Sequence, residues 1–206
     1  MLYTTAWAST EPEPLHIRGA SWFGMETDAC FLGGATKRAI EEVAHWLKES
    51  GFNAIRLPLA ADALLNPDHP CMLEGDQTKL REHNMALGAL GYLGQIGEVV
   101  RVAAESGLLV LLDMHVMRAG EWPDGGMVRP SDKPQLFAAW KQLAEAFCDP
   151  DDNWNVIGAD LKNEPYAMSC APSLRAGLVL GNPSPHPSLT PRPMLSCPHT
   201  LCATVR

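Results

Sequence analysis

Four residues in the first 164 positions carry side chains suited to acid–base work on a polar substrate: Arg56, His115, Asn163 and Glu164. Each lies in or just after an apolar run. Arg56 stands in Ala54-Ile55-Arg56-Leu57-Pro58, His115 in Leu112-Asp113-Met114-His115, and Asn163 and Glu164 in Asp160-Leu161-Lys162-Asn163-Glu164-Pro165. A glutamate can hand a proton to a leaving oxygen, an arginine can keep a neighbouring carboxylate ionised, and histidine and asparagine can bind hydroxyls. Taken singly, each has a plainer reading. Arg56 inside a strand neutralises a buried acid such as Asp113, a histidine after an apolar run is structural, and Asn-Glu-Pro merely ends a strand. Recurrence at successive strand ends favours chemistry, because α/β folds gather their sites at the C-terminal ends of parallel strands.

The elements that must position these residues follow from the hydrophobic period. Leu15 to Gly24 reads as a first strand. Thr36 is placed to cap a helix whose apolar face is Ile40, Val43, Ala44 and Leu47, and Gly51 stops it. Asn53 to Leu59 gives a second strand, followed by a long loop rich in Asp, Pro and Gly. A helix over Leu90 to Ser106 presents Leu93, Ile96, Val100 and Ala104, and Gly107 ends it. Leu108 to Met114 is a continuous apolar run, as a strand covered on both faces requires. A loop with Gly120, Pro123, Gly125 and Gly126 follows. Pro134 then sits early in a helix faced by Leu136, Phe137, Trp140, Leu143 and Phe147, and Trp154 to Leu161 is a fourth strand. Strand–helix alternation predicts an α/β fold with a parallel sheet. Four βα units are half of a (β/α)8 TIM barrel, which takes about 250 residues when complete.

The 206 residues carry a net charge of −8, which argues against nucleic acid or an anionic membrane as partner, since both reward basic surfaces. No apolar run approaches a membrane span, and the N-terminal stretch, with Glu11 and Glu13, has no basic start leading into an apolar core, so no signal peptide is visible. The six cysteines include no CxxC pair; their spacing suggests no zinc site and leaves disulfides open. Composition breaks after Cys170: residues 171–206 hold seven of the seventeen prolines and no Asp, Glu, Phe, Trp or Tyr. The expected organisation is therefore an N-terminal extension over 1–14, a partial barrel over 15–168, and a Pro-rich tail over 169–206. The tail is read as disordered or extended, and its break with the preceding pattern suggests a misread splice junction or frameshift, with a genuine Pro-rich tail as the alternative.

Trp22-Phe23-Gly24-Met25-Glu26-Thr27, Gly51-Phe52-Asn53-Ala54-Ile55-Arg56-Leu57-Pro58, Leu111-Leu112-Asp113-Met114-His115 and Gly158-Ala159-Asp160-Leu161-Lys162-Asn163-Glu164-Pro165 together resemble glycoside hydrolase family 5, the cellulase family, over about residues 15–166. The resemblance implies a TIM barrel that hydrolyses β-linked glucans or mannans with retention. It makes Glu164 the general acid/base. Asn163 would bind the sugar 2-hydroxyl and the partner carboxylate, Arg56 would support the nucleophile, and His115 would position the sugar. Trp22 and Trp122 are candidates for stacking on sugar faces, against an equally good reading as packing residues. Such chemistry needs two carboxyl groups, about 5–5.5 Å apart in retaining enzymes, and implies no cofactor and no metal. The expected partner is a β-linked polysaccharide or oligosaccharide. The family suggests secretion.

The sequence departs from the family in one respect. The resemblance puts the nucleophile on the seventh strand, and the 42 residues after Glu164 contain no Asp or Glu. The expected function is thus an endoglucanase-like glycosidase represented by an incomplete chain without its nucleophile. The alternative is an inactive half-barrel that at most binds carbohydrate through Trp22 and Trp122.

Overall fold

The structure is a computed structural model and describes residues 3–4, 13–73, 77–121 and 128–164. Two short strands, β1 (Tyr3–Thr4) and β2 (Glu13–Pro14), pair antiparallel. The main sheet is made of β3 (Gly19–Ser21), β4 (Ala54–Ala60), β5 (Leu109–Val116) and β6 (Val156–Asp160). They lie side by side in chain order, all parallel. Between them come α1 (Ile40–Glu49), the short helices α2 (Ala61–Leu65), α3 (Pro70–Leu73) and α4 (Gln77–His83), then α5 (Tyr92–Glu105) and α6 (Lys133–Phe147). This is the predicted α/β architecture with its order of strands and main helices.

Alternation along the strands explains the layering. On β4, Ile55, Leu57 and Leu59 are buried; on β5, so are Val110, Leu112 and Met114. They share one core with Ile40, Ala44 and Leu47 of α1, Ile96, Val99 and Ala103 of α5, and Leu136, Ala139, Leu143 and Phe147 of α6. Intervening residues point the other way. Arg56, Leu109, Leu111 and His115 are only half-buried, so β5 has a fully covered face and a more open one.

Several expectations need correction. The first strand is three residues rather than the predicted Leu15–Gly24, and it pairs only as far as Ser21↔Arg56, with Trp22 N–H donating to the Arg56 carbonyl at 3.0 Å. That short reach explains a proline in an inner strand. Arg56 turns its peptide groups toward β3, so Pro58, two residues on, turns its missing N–H to the side where β3 has ended. Thr36 does not cap α1. Ala39 occupies the N-cap without a side-chain bond, and the orphan N–H of Ile40 donates instead to Asn84 Oδ1 at 2.8 Å, while Asn84 Nδ2 donates to the carbonyls of Ala35 and Arg38. A cap brought from 44 residues away does the work expected of a local one. The segment after the second strand, read as a loop, contains α2, α3 and α4. Phe137, expected on the packed face of α6, is 55% exposed. Gly51 and Gly107 do follow α1 and α5 at positive φ, +84° and +68°, the conformation that ends helices.

Candidate functional site

The open face at the C-terminal end of the sheet carries a connected polar cluster. Arg56 projects from β4 and its Nη2 lies 3.0 Å from Asp113 Oδ2 of β5, 2.9 Å from Asp160 Oδ2 of β6 and 2.8 Å from Asn163 Oδ1. Parallel register makes this possible. Asp113 stands opposite Asp160, and Arg56 pairs two residues lower, with Leu111, so the long guanidinium stem reaches up to both carboxylates. His115 places Nδ1 2.7 Å from Asp113 Oδ2 and Nε2 3.4 Å from Asn163 Nδ2. Three of the four candidates thus meet in one network, and the plain reading of Arg56 as a partner for buried Asp113 holds.

Asp113 is the centre of this cluster and has no solvent-exposed side-chain surface. Burial pushes its carboxyl above the usual carboxylate range, against the opposing pull of His115 and Arg56. Its Oδ1 has no hydrogen-bond partner among the described residues. The arrangement fixes the His115 ring and gives Arg56 a fixed direction, both of which a substrate-facing group needs.

Beyond β6 the chain is held by a residue that the sequence reading overlooked. Lys162 is buried, and its Nζ donates to the His115 carbonyl at 2.6 Å and to the Asn163 carbonyl at 2.9 Å. Burial pulls the ammonium down to about 8, partly offset by Asp113, Asp160 and Glu164. Asn163 N–H extends the ladder by donating to the Met114 carbonyl at 3.1 Å. The next residue, Glu164, adopts φ +40° and is exposed. A non-glycine residue in the left-handed region is uncommon and recurs where side-chain direction matters more than backbone comfort. A lysine within a strand-end motif usually signals a solvated face; no sequence pattern marked this one as buried.

Tyr92 was also missed. Its hydroxyl donates to the Met25 carbonyl at 2.7 Å and accepts the Ala60 N–H at 2.9 Å, tying the loop after β3 to the end of β4. Burial raises its phenol well above the usual range.

Of the two stacking candidates, Trp22 is 8% exposed, belongs to the core and donates Nε1–H to the Gly33 carbonyl at 3.1 Å. Its ring faces protein; the exposed aromatic beside it is Phe23, at 61%. Trp122 and the Pro-rich tail lie outside the described residues, as does Pro165.

The sequence profile described as Cellulase (glycosyl hydrolase family 5) matches residues 11–174. An endoglucanase of Paenibacillus polymyxa is 26% identical over 153 residues, covering 74% of this chain and 36% of that protein. Among solved structures, an endocellulase of Pyrococcus horikoshii in complex with cellotetraose superposes with a TM-score of 0.63 at 31% identity, over 83% of this chain and 43% of that one. The catalytic domain of the major endoglucanase of Xanthomonas campestris pv. campestris gives a TM-score of 0.62 at 25% identity, over 75% of this chain and 42% of its own. The chain therefore spans less than half the length of each of these relatives.

Proposed function

The chain belongs to the cellulase family, glycosyl hydrolase family 5, and on that premise we propose that it carries the acid/base half of a retaining site for β-linked glucan. The observation that supports this reading most is the Arg56–Asp113–His115–Asn163 network, with Glu164 next in the chain at a constrained backbone angle. Glycosidic cleavage requires a proton for the departing oxygen and a carboxylate on the other side of the sugar ring. In the proposal Glu164 supplies the proton and later takes one from water. Asn163, with Oδ1 engaged by Arg56, keeps its amide group oriented toward the sugar 2-hydroxyl. His115, oriented by Asp113, binds a second hydroxyl. Arg56 favours the ionised form of a carboxylate brought beside it.

The chain has no Asp or Glu beyond Glu164, and in this reading the 206 residues alone turn over no glucan by double displacement. The matching test joins residues 15–164 to the C-terminal half of the Pyrococcus horikoshii endocellulase. The joined protein is expected to release reducing ends from soluble β-1,4-glucan with retained configuration, and the 206-residue chain none. Inversion, or turnover by the chain alone, contradicts the proposal. The absence of Asp and Glu from residues 165–206 also favours a second reading, a carbohydrate-binding protein without catalysis. Saturable cellotetraose binding by the chain, with an inert joined protein, would support that one.

A further inference from the structure

A second cluster of reactive side chains lies on the loops beside β3 and β4, apart from the Arg56 network. Cys30, in the loop between β3 and α1, is bonded to Cys71 of α3, 41 residues on, with Cα atoms 5.8 Å apart. His69 stands against this bond. Its Nδ1 is 2.8 Å from Cys71 Sγ and accepts the Cys71 N–H at 3.3 Å, while Nε2 lies 3.2 Å from Asp62 Oδ2. These contacts select one tautomer: Nε2 carries the proton shared with Asp62, and the Nδ1 lone pair points at sulfur. Asp62 is itself fixed, with Oδ1 accepting the N–H groups of Ala63 and Ala119 and its own N–H donating to the Met117 carbonyl. Both cysteines are buried, and the donor atoms Cys30 Sγ, Cys71 Sγ and His69 Nδ1 all lie within 4.8 Å of one another.

Two sulfurs, an imidazole nitrogen with its lone pair directed inward, and a carboxylate on the far ring nitrogen are the donor set and outer support of a tetrahedral zinc site. We propose that reduction of the Cys30–Cys71 bond converts this cluster into a binding site for a thiophilic divalent cation, zinc foremost, held by Cys30, Cys71 and His69 with water in the fourth position. A dithiol reductant supplies two electrons and two protons, leaves as its own disulfide, and frees both thiols. The cation then binds both sulfurs and releases two protons to solvent. Zinc–sulfur bonds of about 2.3 Å set the sulfurs about 3.8 Å apart, which requires rotation about the two Cα–Cβ bonds. The bound ion replaces the disulfide as the tie between the β3–α1 loop and α3, so the clip exists in two chemical forms.

The test uses the full 206-residue chain, reduced with a phosphine, freed of it without air, and titrated with Co2+ as an optical probe. The reduced chain is expected to take up about one equivalent with a thiolate-to-cobalt absorption band that Zn2+ abolishes by displacement. The oxidised chain should show none. A Cys30→Ser, Cys71→Ser double variant lacks the disulfide, as the reduced chain does, and keeps the other four cysteines. It separates loss of ligands from loss of the bond, and it should lose the band. His69→Ala should weaken binding more than tenfold, and Asp62→Asn about tenfold. Zn2+ should raise the melting temperature of the reduced chain and leave the oxidised chain unmoved. A reduced chain that binds no more Co2+ than the oxidised chain, or no more than the double variant, overturns the proposal.

Discussion

The two faces of β5 follow opposite rules. Toward the helices, Val110, Leu112, Met114 and Val116 are buried hydrocarbon, and what matters there is volume. Toward the open side, Asp113 and His115 join Arg56, Asp160 and Asn163 in a network whose members depend on one another's charge. One strand with a two-residue period carries both, so a substitution at one position tests packing and its neighbour tests electrostatics. The covered face is legible as a fold, the open face as a site.

The two largest expected effects break this comparison most sharply. Arg56→Met leaves Asp113 buried without its guanidinium partner and should cost about 3 kcal/mol near neutral pH. Leu112→Ala should cost a similar amount, about 3 kcal/mol, through the cavity it leaves. Their pH dependence separates them in urea denaturation. Asp113 has its folded carboxyl raised, so lowering the pH protonates it and removes the stranded charge. The Arg56→Met penalty should then shrink in acid while that of Leu112→Ala stays constant. Equal pH dependence of the two would show that the open face is not electrostatically organised.

Tyr92→Phe tests how the faces are joined at the loops. It strands the Met25 carbonyl and the Ala60 N–H and should cost about 2 kcal/mol. Lys162→Met gives a comparable and more specific signal. Folding lowers this ammonium from its ordinary 10.5 to about 8; between those values the unfolded chain binds the extra proton, so stability rises with pH across that window. The variant should lose that rise, and chemical denaturation at pH 8 and at about pH 10.5 measures it. At the bottom of the scale, Phe137→Ser on the exposed side of α6 should change stability by less than about 0.5 kcal/mol.

The strand ends could be read in the sequence because apolar runs and the side chains that interrupt them are local signals. Arg56, His115, Asn163 and Glu164 stood out for that reason. Less legible were groups whose role depends on distant partners. Asn84 caps α1 from beyond three further helices, Tyr92 ties the loop after β3 to the end of β4, and Lys162 buries its charge by capping two carbonyls. None of these follows from spacing along the chain. The Cys30–Cys71 bond was open on spacing for the same reason, since 41 residues separate its ends. The short helices after β4 were hidden by the Asp, Pro and Gly content of that segment, which reads as loop chemistry. Trp22 was ambiguous because a tryptophan serves a core and a sugar platform equally well, and only its burial distinguishes them.

The most direct test of the central claim, that Glu164 delivers the proton at this site, uses residues 15–164 joined to the C-terminal half of the Pyrococcus horikoshii endocellulase. Glu164→Gln in that protein should lower turnover of cellotetraose by about 10²–10⁴-fold, while an aryl glycoside whose leaving group needs no proton keeps its rate of bond cleavage. Equal loss on both substrates, or loss on neither, would contradict the assignment.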